Sequence, residues 1–297
     1  MLFGLAIGAV IVALVVMVSL LYQIVHSASP AIDRYGVGFA FHKTWQPVEY
    51  KLGAWSLIYG TLMTSVLSLI GATILGVAIG LLLAYMVPKR VSAVIGPLVE
   101  MLAAVPSIVI GLLGIIVIAP FVVKHVEPAL HSVLGFIPLF GPPGLVGNSV
   151  FTASLVLTFM VLPIIAALTR DIFLTVPSEL RDGAAALGAT RWEVIRGVVL
   201  PTTTGGIASA CVLGFGRALG EAIAVAQVVG ATTVAHFNIF LQGYTLASII
   251  ANQFTSPANN LHLAALYYCA VILLLFSLAS NLLAQYIARR SRYSAGL

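Results

Sequence analysis

Charge is what this chain has least of. Only 8% of its 297 residues are Asp, Glu, Lys or Arg, against 61% hydrophobic residues. A water-soluble domain of this length cannot hide so much apolar surface, so most of the chain must face lipid. Cysteine is scarce too. Cys211 and Cys269 stand alone inside apolar runs with no C-x-x-C spacing, and they read as small buried hydrophobes, not metal ligands. There is no G-x-x-x-x-G-K-[ST] phosphate loop, so the chain is not expected to bind or hydrolyse ATP. There is no H-E-x-x-H, and no Ser/Lys or Asp pair of the kind used by intramembrane proteases. His125, His131, His236 and His262 are scattered through polar segments without i, i+4 spacing on one evident helix, so no metal site is expected. These absences leave no catalytic constellation.

What is present is a set of six apolar runs, roughly Leu2 to Val25, Leu57 to Met86, Val94 to Val122, Val150 to Leu168, Thr203 to Gly230 and Leu261 to Ile287. Each is long enough for a hydrocarbon core of about 30 Å, which takes about 20 helical residues. The fold expected is an all-α polytopic membrane protein with six transmembrane helices. Lys89, Arg90, Arg170, Arg181, Arg191, Arg196, Arg289, Arg290 and Arg292 fall in one set of loops, and Arg34, Lys43, Lys51 and Lys124 in the other. The excess of basic residues marks the cytoplasmic side, which puts both termini there. The net charge of +5 then reports topology and not nucleic-acid binding. Ser27-Ala28-Ser29 resembles a signal-peptide cleavage site, but the apolar run ahead of it is too long for an h-region and lacks a basic n-region. That run begins at Leu2 with no tail before it, as a trimmed or mis-started N-terminus would.

Three outer loops are expected. In the first, residues 26–56, Trp45, Tyr50 and Trp55 suit the headgroup interface. The second, residues 123–149, is turn-rich around Pro138 and Gly141-Pro142-Pro143-Gly144. In the third, residues 231–260, Phe237, Ile239, Phe240 and Leu241 predict a short interfacial helix. The one long hydrophilic inner loop is 171–200. Ser178 is a plausible N-cap for a helix through Leu187, Gly188 can end it in the left-handed conformation, and Thr190-x-x-Glu193 is a capping box for a second helix that stops before Pro201. Read from pattern alone, this loop is either an ordinary amphipathic connector or a surface for a partner. A DNA-reading helix-turn-helix is disfavoured by its short tether to two membrane spans.

The same loop resembles the signature of type I ABC importer permeases, E-A-A-x-x-x-G-x(9)-I-x-L-P. Gly188 takes the Gly position, and Val198, Leu200 and Pro201 take the I-x-L-P positions. The triplet reads Asp182-Gly183-Ala184. Gly214-Phe215-Gly216-Arg217-Ala218-Leu219-Gly220-Glu221 with Val228-Val229-Gly230 resembles the phosphate importer permeases, as does Glu100-Met101-Leu102-Ala103-Ala104-Val105-Pro106-Ser107, with Ile110 where that family carries Tyr. Phe39, Thr44-Trp45-Gln46-Pro47 and Ile58-Tyr59-Gly60-Thr61 resemble the PstC-type subunit of that family. The resemblance runs from about Gly38 to the C-terminus. It implies the MetI-like permease fold, with a first helix and outer loop over 1–56, the permease domain over 57–288 and a short cytoplasmic tail over 289–297. It also implies a cytoplasmic coupling helix that docks on an ATPase, with Arg181, Asp182, Gly183, Ala184, Gly188, Arg191, Leu200 and Pro201 as the coupling residues. The partners implied are a sister permease (PstA-like), an ATPase dimer (PstB-like) that binds the ATP and Mg, and a phosphate-binding protein (PstS-like) in a bacterial inner membrane. This chain itself needs no cofactor. Permeases for sulfate, molybdate or phosphonate share the class, and a stand-alone carrier or channel is a more distant alternative.

Three charged residues fall inside the apolar runs: Glu100, Arg217 and Glu221. A charge at mid-bilayer costs about 2.5–3.5 kcal/mol on insertion scales, so these need a partner or water. At i, i+4 on one helix, Arg217 and Glu221 can pair, and Gly214, Gly216 and Gly220 let that helix approach its neighbours closely. A guanidinium is a planar fork of donors suited to an oxyanion. Arg217, Glu221 and Glu100 are therefore the candidate translocation-path residues. The alternative is a permanent Arg217–Glu221 or Arg217–Glu100 bridge that only locks helices. Thr64, Ser65, Ser107 and Gln227 are isolated polar side chains, and intrahelical hydroxyls usually bond their own backbone.

Overall fold

The computed structural model describes residues 2–294. It is almost wholly helical. The first helix, α1 (Leu2–Tyr35), is followed by a small antiparallel hairpin of β1 (Trp45–Gln46) and β2 (Lys51–Leu52), with Trp45 opposite Leu52. The second span is α2 (Trp55–Leu81) closed by a π-turn, and a separate helix α3 (Lys89–Leu102) follows. The third span joins α4 (Ser107–Leu113), α5 (Ala119–Phe121) and α6 (Glu127–Leu134) through π-turns. Then come α7 (Val150–Leu174), the short helices α8 (Ser178–Ala186) and α9 (Arg191–Val194), α10 (Leu200–Gly220), α11 (Ile223–Val228), α12 (Leu246–Gln253) and α13 (Asn260–Ser294). Residues 295–297 of the tail lie outside the described residues.

Among the described residues six helical stretches are long and apolar enough to cross a membrane: Ala6–Ala40, Trp55–Met86, Ser107–Leu134, Val150–Leu174, Arg191–Gly220 and Asn260–Leu283. The chain is a multi-pass membrane protein. Successive spans alternate direction, so the hairpin and the loops after the third and fifth spans share one end, and α3 and α8–α9 share the other. The fourth span is the centre, 67% buried over its apolar stretch, and the first is the periphery, 0% buried.

The tightest seam is α2 against α7, and its cause is side-chain size. Gly60, Thr64, Ser68, Ala72, Gly76 and Gly80 recur every four residues on one face of α2, and all are buried. A Cβ on Gly76 would sit 2.9 Å from Ile165 Cγ2, so the backbones approach as closely as small residues allow. Two hydroxyls in the seam are satisfied locally, Thr64 by Gly60 O at 2.8 Å and Thr169 by Ile165 O at 2.7 Å.

Prolines set the irregular turns. The π-turns Gly114–Ile118, Val122–Val126 and Ile195–Val199 each stop two residues before a proline, Pro120, Pro128 and Pro201. Proline donates no hydrogen bond and crowds the carbonyl four residues back, and a widened turn relieves both problems without ending the helix. For that reason the helix beginning at Arg191 does not stop before Pro201, as the sequence pattern predicts, but runs unbroken into the fifth span.

Other expectations shift for stated reasons. The third run does not begin at Val94. Val105-Pro106 breaks it, since the residue before a proline is pushed toward extended backbone, and the span starts at Ser107 and reaches Leu134. Glu100 therefore lies outside the six spans, and Glu127 lies inside one. Glu127 is fully buried and accepts hydrogen bonds from Gly144 N–H at 3.0 Å and Ser149 Oγ at 3.3 Å. The segment Phe237–Leu241 is not helical; Ile239 and Phe240 are buried, and the short helix is α12 instead. Trp45 is buried and not at an open interface. Ser27-Ala28-Ser29 lies inside continuous α1, where Ala28 and Ala31 are fully buried, so these small residues serve packing.

Candidate functional site

Two segments carry the sequence-predicted residues. The first is α8–α9. Pro177, not Ser178, stands at the N-cap of α8, with no side-chain cap. Gly188 has φ +88, the left-handed conformation that closes a helix. Thr190 and Glu193 form the reciprocal capping box: the Thr190 N–H donates to Glu193 Oε2 at 2.7 Å, and the Glu193 N–H donates to Thr190 Oγ1 at 3.4 Å. Together these fix the angle between two short helices that have almost no core of their own.

Asp182, Gly183, Gly188, Arg191 and Pro201 are exposed, and Arg181, Ala184 and Leu200 are partly so. A Cβ added to Gly183 would meet nothing within 4 Å. Among the described residues nothing therefore demands a glycine at Gly183. Leu180, Leu187 and Trp192 are 50%, 91% and 56% exposed, an apolar set on an otherwise hydrophilic loop. Arg181 turns the other way. Its guanidinium lies over the Tyr85 ring, 5.2 Å from the centroid, beside a cavity of 540 Å³ between α8–α9 and the end of the second span.

The second segment is the end of α10. Arg217 sits in its last turn, where a cation suits the helix C-terminus. The helix ends at Gly220, Glu221 is extended (φ −74, ψ 117), and α11 restarts at Ile223. The i, i+4 reading of Arg217 and Glu221 assumed one continuous helix, and the break removes it. Among the described residues the ion pairs are Lys51–Glu49 and Arg170–Glu100, so neither Arg217–Glu221 nor Arg217–Glu100 forms a bridge. Arg217 is exposed on this subunit and Glu221 partly so. An unpaired guanidinium on a membrane helix must meet water, a partner or an anion. A discontinuous membrane helix is also where transport proteins of several folds place their solute sites.

Glu100 belongs to another structure. Its carboxylate accepts from Arg170 Nη1 at 3.0 Å, tying α3 to the end of α7. Gly96 makes the room, since a Cβ there would fall 2.7 Å from that nitrogen. Among the weaker polar candidates, Thr64 bonds its own backbone, whereas Ser65 Oγ and Gln227 Oε1 are buried without partners among the described residues. Gln227 is on α11, just past the break. Sequence reasoning missed two residues: Tyr85, which reads as one more interfacial aromatic, and Arg170, which reads only as a topological charge.

A six-span helical bundle, with a capped polar two-helix loop between its fourth and fifth spans and an unpaired arginine at a break in the fifth, defines a membrane transport permease subunit. The chain belongs to the family described as binding-protein-dependent transport system inner membrane component, whose model matches residues 76–293. The phosphate transport system permease protein PstC of Mesorhizobium japonicum is 36% identical over 95% of this chain and 88% of its own length. PstC of Pasteurella multocida is 38% identical over 86% of this chain and 80% of its own, and PstC 1 of Mycobacterium tuberculosis is 38% identical over 87% and 78%. Among solved structures, a chain of a bacterial alginate ABC transporter matches with TM-score 0.63 at 15% identity, covering 96% of this chain and 94% of that one. A chain of the inward-facing MetNI methionine ABC transporter matches with TM-score 0.55 at 18% identity, covering 84% and 99%. These last two share the fold.

Proposed function

We propose that this chain is a permease subunit of an ATP-driven phosphate importer in a bacterial inner membrane. It forms half of the translocation path together with a sister permease. The α8–α9 end, rich in basic residues, faces the cytoplasm and docks on an ATPase dimer that binds ATP and Mg, and the hairpin end receives phosphate from a binding protein. The substrate assignment is supported by relatives that are phosphate transport permeases along most of this chain's length. The coupling assignment is supported by the exposed, rigidly capped loop, with Asp182, Gly183, Ala184, Gly188, Arg191, Leu200 and Pro201 carrying or framing the docking face.

The observation that carries the mechanism is the unpaired Arg217 at the break in the fifth span. Its guanidinium meets phosphate transiently, with bidentate geometry and opposite charge. Glu221, one turn on and freed from the helix by the break, keeps the site from holding anion too tightly. Glu100 takes the supporting role of fixing α3 to α7 through Arg170. Replacing Arg217 by Gln removes a charge-assisted contact of about 1.5–3 kcal/mol. Phosphate uptake by the assembled importer should fall by about tenfold or more, since 1.4 kcal/mol is a factor of ten. Unchanged uptake at normal membrane abundance would overturn this path.

A further inference from the structure

The α8 helix is poorly attached to the protein it is meant to move. It buries none of its residues, its main neighbours are α9 and the π-turn at Ile195–Val199, and the 540 Å³ cavity separates it from the bundle. A force applied to α8 needs something stiff across that gap. One side chain from each wall meets there. Arg181 reaches in from α8 and lies on the Tyr85 ring at 5.2 Å. Tyr85 stands in the π-turn Leu82–Met86 that ends the second span, and its hydroxyl donates to the carbonyl of Phe173 at the end of the fourth. The Tyr85 and Phe173 rings are 6.5 Å apart, and Phe173 is fully buried with Leu81, Val176, Ile195 and Val199. Among the described residues Arg181 pairs with no carboxylate, although Glu179 and Asp182 flank it in sequence, and its buried Nε has no partner there. Its charge is directed to the ring face, where a cation is attracted by the ring quadrupole.

We infer that Tyr85 is a positioning residue for transport: with Arg181 it forms a strut that carries displacement of α8 to the ends of the second and fourth spans. This rests on the reading of α8 as the ATPase-facing helix. The π-turn suits the role, because widened turns are sites where a helix adjusts without breaking. The strut lies on the α8 end, away from the Arg217 break proposed to meet solute, so its loss should separate hydrolysis from transport instead of weakening solute binding.

The test uses the complete importer in proteoliposomes, with its binding protein supplied, reading phosphate accumulated per ATP hydrolysed. Tyr85→Leu and Arg181→Met should each raise the ATP used per phosphate about fivefold or more, the lower end of typical coupling energies. Arg181→Lys, which keeps a cation over the ring, should restore most of the ratio. Tyr85→Phe keeps ring and volume and loses the hydroxyl that bonds Phe173, so it carries the test if Tyr85→Leu does not assemble; its ratio should move in the same direction by less. An unchanged ratio in assembled Tyr85→Phe and Arg181→Met complexes would overturn the strut, as would Arg181→Lys behaving like Arg181→Met. If the unsubstituted complex shows no ATP-dependent uptake, the importer reading falls and the strut with it. Normal uptake with an unmoved ratio removes the strut alone.

Discussion

The two ends of this bundle are built on opposite plans. At the hairpin end the hairpin and the last loop are tied to one another, although Val48, Leu145 and Phe237 stay exposed there. Trp45 is buried, and its indole N–H donates to Gln253 Oε1 at 3.1 Å. The same oxygen lies 3.0 Å from His262 Nε2, while His262 Nδ1 accepts from the Ala258 N–H at 3.1 Å. That second bond places the imidazole proton on Nε2, so both lone pairs of one amide oxygen are used. Asn259 Nδ2 donates to Pro47 O at 2.9 Å, and Phe39 stacks on Tyr268 with centroids 4.6 Å apart. At the α8 end the loop stands away from the body, exposes Leu187 almost entirely and borders an open cavity. The hairpin and the loop that carries Gln253 are held together within one chain. The α8 end is internally rigid and externally unfinished, as a surface that works through another subunit should be.

If that contrast holds, substitutions at the hairpin end should cost stability, and substitutions at the α8 end should cost function alone. The largest stability effect is expected from Trp45→Ala. It removes a buried aromatic from a packed cluster, a change of about 3–5 kcal/mol for large-to-small truncation, and should lower the unfolding temperature of the purified chain in detergent markedly. An unfolding temperature close to that of the parent would show that the hairpin is an ornament on the bundle. Gln253→Leu is a sharper and smaller probe. It keeps volume but strands two buried donors, Trp45 Nε1 and His262 Nε2, at about 1–3 kcal/mol. The expected signature is destabilisation smaller than that of Trp45→Ala and not additive with it, because the two residues share one network. Full additivity in the double variant would mean that the network is not a unit.

How much of this was legible in the sequence follows from which interactions are local. The capping box at Thr190 and Glu193 and the turn at Gly188 are written in adjacent residues, and both stand where the pattern puts them. The six spans are legible because apolar length is a property of a single run. The every-fourth small residues from Gly60 to Gly80 were equally readable, and they mark the α2–α7 seam. What could not be read is what depends on distant segments. Nothing near Trp45 announces Gln253, and nothing near Tyr85 announces Arg181. The Arg217–Glu221 spacing misled for a different reason. Periodicity assumes that a helix continues, and the break at Glu221 follows no proline, so an i, i+4 pair on paper became an arginine beside an unwound carboxylate. Pro201 misled in the opposite sense: it reads as a stop, and the π-turn ahead of it lets the helix pass.

The smallest stability effect, and the one that tests the contrast most directly, is Leu187→Ser. Leu187 caps the end of α8, is 91% exposed and belongs to none of the buried clusters. A surface change of this kind should alter folding stability by no more than about 0.5 kcal/mol. If the α8–α9 loop docks on an ATPase, however, that side chain becomes buried on assembly, and its loss forfeits apolar contact worth about 1.5–3 kcal/mol when fully covered. The purified chain should therefore unfold like the parent, while the ATPase co-purifies less well and phosphate uptake drops. A variant that is destabilised in isolation would mean that α8 packs on the bundle more than its exposure shows. A variant that is normal in stability, assembly and uptake would move the docking face away from the end of α8, toward Leu180 and the Asp182-Gly183-Ala184 triplet on the preceding turns.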